Sequence, residues 1–294
     1  MRKIVIAGGT GFIGKYLQTK FETLHYKVVI ISRQEGYVSW ENQQQIIEAL
    51  NGAELLINLA GKSVNCRYNA KNKTEIINSR TETTILLGEA IQHCTKPPQL
   101  WINAGTATIY RHAEDRPMTE SRGEIGQGFS VDVAKAWEKA FFHFQLPHTR
   151  QVFLRIAIVL GKNDGVMKPF TNLVRFGLGG KQGNGKQMFS WIYIEELFNI
   201  IQFLNQHKKL EGIFNCSAPN AVTNKIFMQT LREAMHIEIG LPSPKWLLKF
   251  GAIFIKTETE LVLKSRWVLP ERLLKDGYTF LYPTIDEALS DLLK

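Results

Sequence analysis

Apolar residues in the first 160 positions fall into short β-branched runs, separated by longer stretches in which they recur every three or four places. The runs are Lys3 to Ala7 (KIVIA), Lys27 to Ile31 (KVVII), Glu54 to Leu59 (ELLINL), Leu100 to Ala104 (LWINA) and Gln151 to Leu160 (QVFLRIAIVL). Each reads as a buried strand. The stretches between them read as helices: KYLQTKFETL after the first strand, Gln43 to Leu50 with Asn51-Gly52 as its stop, Lys71 to Cys94, and Asp132 to Gln145. In the third of these, Ile76, Ile77, Ile85, Leu86, Ala90 and Ile91 supply a discontinuous apolar stripe. Strand and helix alternating at these spacings predict an α/β fold, a Rossmann-type doubly wound parallel sheet with helices on both faces.

The first strand opens directly into Gly8-Gly9-Thr10-Gly11-Phe12-Ile13-Gly14, which puts glycines at 8, 11 and 14 on a strand-to-helix turn. Such a turn binds phosphate, because backbone can approach closely where there is no Cβ and the helix N-terminus offers free N–H groups. The end of the second strand chooses the cofactor. An acid there would accept hydrogen bonds from the adenine ribose and repel a 2′-phosphate, but Ser32-Arg33 stands in its place and suits a phosphate dianion. NADP (NADPH) is therefore the expected cofactor. Asn58-Leu59-Ala60-Gly61, at the end of the third strand, is small enough for backbone to pass close to it.

Beyond Gly161 the rhythm changes. Phe176 to Gln187 is too rich in glycine for a helix or strand; it is a loop, with a purely structural role and a contact to substrate or cofactor as the two readings. Phe189 to Ile194 leads back into helical sequence, and Glu211 to Cys216 reads as a short strand. From Thr223 the pattern is helical, punctuated by Pro242, Pro244 and Pro270, and Ile285 to Leu293 closes it as an amphipathic helix. The expected division is a Rossmann NADP-binding domain over 1–165 and a smaller, mixed substrate-binding region over 166–294, with about 189–216 returning to the core.

At 294 residues and 44% apolar, the chain can bury one large core or two unequal ones. No run approaches the twenty apolar residues a bilayer needs and no signal peptide is indicated, so the cytoplasm is the expected compartment and no membrane contact is expected. Cys66, Cys94 and Cys216 are odd in number and lack C-x-x-C pairing, and the seven histidines lack H-x-x-x-H spacing, so neither a disulfide framework nor a metal site is expected. The net charge of +9 suits either nucleic acid or an anionic cofactor and substrate. Lys and Arg are scattered, and aromatic residues do not interleave with them as a stacking platform would. The expected partner is thus a small molecule, for which the charge permits an anion, and not nucleic acid.

GGTGFIG at Gly8–Gly14, NLAG at Asn58–Gly61 and LRIAIVLG at Leu154–Gly161 resemble the extended branch of the short-chain dehydrogenase/reductase superfamily, which holds nucleotide-sugar epimerases and dehydratases. Within it the chain is most similar to atypical epimerase-like proteins labelled cell-division-inhibitor-related. That similarity rests on Ser79-Arg80, Ala136-Trp137-Glu138, the Gly177–Gln187 loop, Trp191-Ile192, Val268–Leu273 and Ile285–Leu289. The resemblance implies an NAD(P)-dependent, epimerase-like oxidoreductase acting on a sugar nucleotide or small carbonyl compound. It implies cofactor contacts from Gly8, Thr10, Gly11, Phe12, Ile13, Gly14, Ser32, Arg33, Leu59, Ala60, Gly61 and Arg155.

The chain departs from that pattern at the catalytic pair. Aligned on Glu138, Ser130 and Ala134 stand where the family has Tyr and Lys, with Lys135 one place off. The Tyr-x-x-x-Lys at Tyr16–Lys20 lies on the first helix, far from the hydride site. Thr106, Thr108 and Tyr110 become the candidate catalytic residues, with Lys135 and Asp132 behind them. Two readings follow: an oxidoreductase with altered chemistry, or a non-catalytic NADP-dependent sensor or interaction protein.

Overall fold

The computed structural model of the chain describes residues 2–162, 164–243 and 264–294. Strands β1 (Lys3–Ala7), β2 (Lys27–Ile31), β3 (Leu55–Asn58), β4 (Leu100–Thr106) and β5 (Arg150–Ile156) pair in parallel, and β9 (Gly212–Cys216) joins beyond β5. The sheet order is β2-β1-β3-β4-β5-β9. The chain leaves β1 toward β2 on one side and resumes at β3 on the other. That reversal opens a crevice at the carboxyl ends of β1 and β3.

Helices cover both faces. α1 (Phe12–Thr23) packs against α6 (Ile194–Gln206), with the rings of Phe21 and Phe198 5.1 Å apart; α2 (Gln43–Leu50), α3 (Ala70–Gln92) and α4 (Phe129–Phe141) form the other layer. Strand residues such as Ile4, Val5, Ile6, Leu55, Leu56 and Leu100 are wholly buried between the layers. That burial is why these strands read as unbroken apolar runs.

A second core lies beyond the sheet. Phe227, Met228 and Leu231 of α7 (Asn224–Ala234) and Ile285, Ala288 and Leu289 of α9 (Ile285–Leu292) pack with Leu160, Phe189 and Trp191. Two small sheets edge it, β6 (Ile158–Leu160) with β8 (Trp191–Tyr193) in parallel, and β7 (Met188–Phe189) with β10 (Val222–Thr223) antiparallel. α5 (Met167–Arg175) lies against α7.

Three expectations need correction. Gln151 to Leu160 is not one strand: after Ile156 the chain leaves the main sheet, the Ala157 N–H bonding the Cys216 carbonyl at 2.9 Å, and Ile158–Leu160 pairs with β8 instead. The helix expected from Asp132 starts at Phe129, because Gly128 at φ +100° turns the chain into it, and ends at Phe141. The strand expected over Leu100–Ala104 runs on to Thr106 and passes into a single 3₁₀ turn at Ala107–Ile109. Pro244 and the helical pattern across 244–263 lie outside the described residues.

The segment before α9 is tied back to the main core by one buried acid. Glu196, in the first turn of α6 and without solvent exposure, accepts hydrogen bonds from the Tyr278 phenol and from the Leu281 and Tyr282 backbone N–H groups, both at 2.9 Å. At the outer edge of the sheet, Arg272 of α8 (Glu271–Lys275) donates to the carbonyls of Glu211 (2.9 Å) and Ile213 (2.8 Å), with its guanidinium 3.9 Å from the centre of the Phe214 ring.

Replacing Glu196 with Ala leaves those donors without an acceptor. We expect a stability loss of about 3 kcal/mol, since each stranded buried group costs roughly 1–3 kcal/mol and some relaxation recovers part of it. Urea unfolding should show a lowered midpoint at unchanged slope; a loss under about 1 kcal/mol would mean that water replaces the carboxylate.

Candidate cofactor and substrate site

The crevice begins at the glycine turn. Gly8 sits at φ +74°, and a Cβ there would lie 2.7 Å from the Ala60 backbone nitrogen. A Cβ on Gly14 would lie 2.4 Å from the Gly9 carbonyl oxygen, so this glycine lets α1 close on the turn itself as well as on the strand. Gly11 differs. It caps α1 with extended backbone, and an added Cβ would meet nothing nearer than the Gly8 carbonyl at 4.0 Å. Space thus remains in front of the free N–H groups of the helix, as a diphosphate requires.

At the end of β2, Ser32 is buried, with its hydroxyl 3.3 Å from that of Thr10 and accepting the Gln34 N–H at 3.2 Å. Arg33 is exposed and makes no ion pair or hydrogen bond among the described residues. Its cation therefore remains available beside the turn. The group the family would bring fits this edge: there is no acid to repel a 2′-phosphate, and there are a hydroxyl and a guanidinium to meet one.

The floor is a buried amide network. Asn58, at the carboxyl end of β3, donates from Nδ2 to Asn103 Oδ1 (2.7 Å) and Thr84 Oγ1 (3.1 Å), and its Oδ1 accepts the Ala60 N–H at 3.0 Å. Trp137 Nε1 donates to the same Thr84 hydroxyl at 3.1 Å. Side chains from β3, β4, α3 and α4 are joined at one point.

Above this floor lies a cavity of about 520 Å³. Gly8, Gly11, Phe12, Ile13, Gly14 and Leu59 line one part of it; Thr10, Ser32, Arg33, Ala60 and Gly61 do not. The Ala60 N–H is used by Asn58, and the α-carbon of Gly61 lies against Arg80, where a Cβ would come within 3.0 Å of the guanidinium carbon. The Phe176–Gln187 loop does not reach the cavity. It pairs with 241–243, through Gly180 N–H to the Leu241 carbonyl (3.1 Å) and Gly183 N–H to the Ser243 carbonyl (2.9 Å).

Of the candidate catalytic residues, Thr106 and Thr108 line the cavity and Tyr110 does not. Thr106 Oγ1 accepts the Thr108 N–H (3.1 Å), and Thr108 Oγ1 accepts from Arg266 Nε (3.1 Å). Tyr110 is buried behind them; its phenol donates to Asn215 Oδ1 (2.8 Å) and accepts from Arg155 Nη1 (2.8 Å). Burial, opposed in part by the Arg155 cation, pushes its pKa up.

Arg155, also among the expected cofactor contacts, is engaged by the protein itself. Its guanidinium forms a bidentate pair with Glu138 of α4 at 2.8 and 2.9 Å, and it stays outside the cavity. Burial works against the charge, but Glu138 and Tyr110 outweigh it and raise the pKa. Arg155 ties β5 to α4.

On α4 the first turn faces the cavity. Phe129, Ser130 and Val133 line it, Ala134 is buried, and Lys135 and Asp132 are exposed on the opposite side. The Ser130 Oγ is buried and makes no hydrogen bond among the described residues. Two more cavity residues, Tyr68 and Arg80, carry polar groups that no recognised motif spacing pointed to. Ser79-Arg80 and Trp137 stood out in the sequence only as points of resemblance.

Among the described residues there is no metal-binding cluster of His, Cys, Asp or Glu, and no helix long and apolar enough to cross a membrane. Residues 4–217 match the NAD dependent epimerase/dehydratase family, and residues 243–292 match a domain of unknown function, DUF1731. The chain is 30% identical over 298 residues to the human epimerase family protein SDR39U1, spanning 99% of each. It is 29% identical over 299 residues to the epimerase family protein YfhF of Bacillus subtilis, spanning 99% of this chain and 97% of that one. A crystal structure of human SDR39U1 (isoform 2) with NADPH has a TM-score of 0.88 to this chain at 29% identity, over 99% of each.

Arg155→Met should destabilise the protein by about 3–5 kcal/mol, because Glu138 would be left largely buried without its partner. Dinucleotide affinity, measured on folded protein, should stay within about two-fold, well under 1 kcal/mol. Tenfold weaker binding at unchanged stability would return Arg155 to the cofactor.

Proposed function

The chain belongs to the NAD-dependent epimerase/dehydratase family, and on that premise we propose that it binds NADP(H) at the head of α1 and acts as an oxidoreductase on a small carbonyl or sugar-nucleotide substrate. The observation that carries this reading is the space left in front of Gly11, bounded by two glycines that admit no Cβ, with Ser32 and Arg33 in place of an acid at the end of β2. The crystal structure of human SDR39U1 with NADPH supports the same cofactor. Gly8, Gly11 and the first turn of α1 would hold the diphosphate, Ser32 and Arg33 the 2′-phosphate, and Leu59 the side of the crevice. Residues 1–165 would then hold the cofactor together with Thr106 and Ser130, and the smaller region beyond them would supply the remaining substrate contacts, within the narrower subgroup that the C-terminal motifs resemble.

Bound NADPH supplies a hydride. The chain contributes hydroxyls but neither the phenol nor the amine of the family's usual pair: Ser130 Oγ makes no hydrogen bond among the described residues, and Thr106 Oγ1 keeps its own proton while accepting the Thr108 N–H. Both line the cavity, where they can orient a carbonyl oxygen. Neither is a strong acid at neutral pH, so proton transfer is slow. A second reading is favoured by the same positions: with Ser130 and Ala134 replacing the pair, the protein binds NADP(H) as a sensor without turnover.

Calorimetry should show NADPH binding about one to two decades more tightly than NADH, the equivalent of roughly 1.5–3 kcal/mol for a charge-assisted contact to phosphate, and Arg33→Ala should remove that preference. Gly11→Val should abolish binding of either dinucleotide while leaving the circular dichroism spectrum unchanged. Equal affinity for the two cofactors in the unsubstituted protein contradicts the proposal.

NADPH oxidation against a panel of carbonyl compounds and sugar nucleotides separates the two readings. Turnover that falls in Ser130→Ala and Thr106→Ala, by up to the roughly 10²-fold at the lower end of general acid/base effects, supports the enzyme; Lys135→Ala should be silent. Binding with no turnover on any compound supports the sensor.

A further inference from the structure

Among the described residues that line the cavity, Arg80 is the only charged one, and no acid lines it. It projects from the middle of α3 and has no ion-pair partner among the described residues. Nη1 is fully engaged, donating to the Lys62 carbonyl (3.0 Å) and, one turn back along the helix, to the Ile76 carbonyl (2.9 Å). The guanidinium carbon lies 5.1 Å from the centre of the Trp137 ring. These contacts hold the plane of the guanidinium, while Nε and Nη2, along its other edge, have no acceptor among the described residues.

An arginine fixed this way is unusual, because removing a cation from water is costly unless an anion compensates it, and the described residues supply none. Burial unmatched by any carboxylate pushes its pKa down to about 10. The free edge is a two-donor fork, which matches the two coplanar oxygens of a carboxylate. One monoanion would balance the one cation on the wall, whereas a dianion would leave the cavity with a net negative charge.

We propose that Arg80 binds a carboxylate of the substrate, so that the substrate class is a carbonyl compound bearing an acid group within reach of the hydroxyls of Thr106 and Ser130. This deepens the oxidoreductase reading above and rests on it for the role of those hydroxyls, but not for the anion site itself. The competing source of an anion is the diphosphate of the cofactor.

The test uses two carboxylates, oxamate and phenylglyoxylate, and their neutral amides, titrated into the full chain with and without NADP⁺. Trp137, beside Arg80, serves as the fluorescent reporter. Each acid should bind at least about tenfold more tightly than its amide, and Arg80→Gln should erase the difference, a loss of roughly 10- to 100-fold for the acids. Arg80→Lys, which keeps the charge and loses the fork, should fall between. NADPH affinity in both variants should stay within about two-fold, which also shows that they fold.

Acids and amides binding alike in the unsubstituted protein overturn the proposal without recourse to any variant. Arg80→Gln weakening NADPH tenfold while leaving the acids unaffected also overturns it, and assigns the guanidinium to the diphosphate. Failure of NADPH to bind the unsubstituted protein rejects the cofactor reading alone; discrimination between acid and amide measured without NADP⁺ still decides the role of Arg80.

Discussion

The site depends on the amide of Asn58. A parallel strand that stops inside the protein must find partners for the polar groups at its carboxyl end, and here one buried side chain meets the demand of several elements together. Asn58 receives the Ala60 N–H and donates to Asn103 and Thr84, while Thr84 accepts from Trp137. The loop over which Gly8 closes, the start of the β4 hydroxyl run, and the α3 and α4 walls of the cavity are thereby fixed relative to one another. Because each member is wholly or almost wholly buried, loosening one strands another, and the site behaves as a unit.

What the sequence revealed follows the range of the interactions. The strands, the glycine turn and the Ser32-Arg33 pair are local features, determined by residues within a few places of each other, and periodicity and turn chemistry suffice to read them. The end of β5 is not local. Nothing in QVFLRIAIVL marks Ala157 as the point of departure, because the cause is β8, more than thirty residues later, which takes Ile158–Leu160 as its neighbour.

The partners of two candidate site residues have the same origin. The resemblance implies Arg155 as a cofactor contact, and Tyr110 is a candidate catalytic residue. Their partners, Glu138 and Asn215, come from α4 and β9, and only the fold shows that these absorb the guanidinium and the phenol. Arg80 is the converse. In sequence it is one more cation on a long helix; what distinguishes it is that none of the described residues on the cavity wall is an acid, which no spacing rule can reveal.

The Arg272 clasp on β9 bears on how the chain is made. β9 is an edge strand, and the carbonyls of Glu211, just before it, and of Ile213 accept from a guanidinium that leaves the ribosome more than fifty residues later. At about 5–20 residues per second that is an interval of several seconds, during which the edge can template pairing with another nascent copy. The C-terminal segment thus closes part of the β9 edge as well as walling the second core. A chain cut short before Arg272 would carry all six strands of the sheet and still present an open edge.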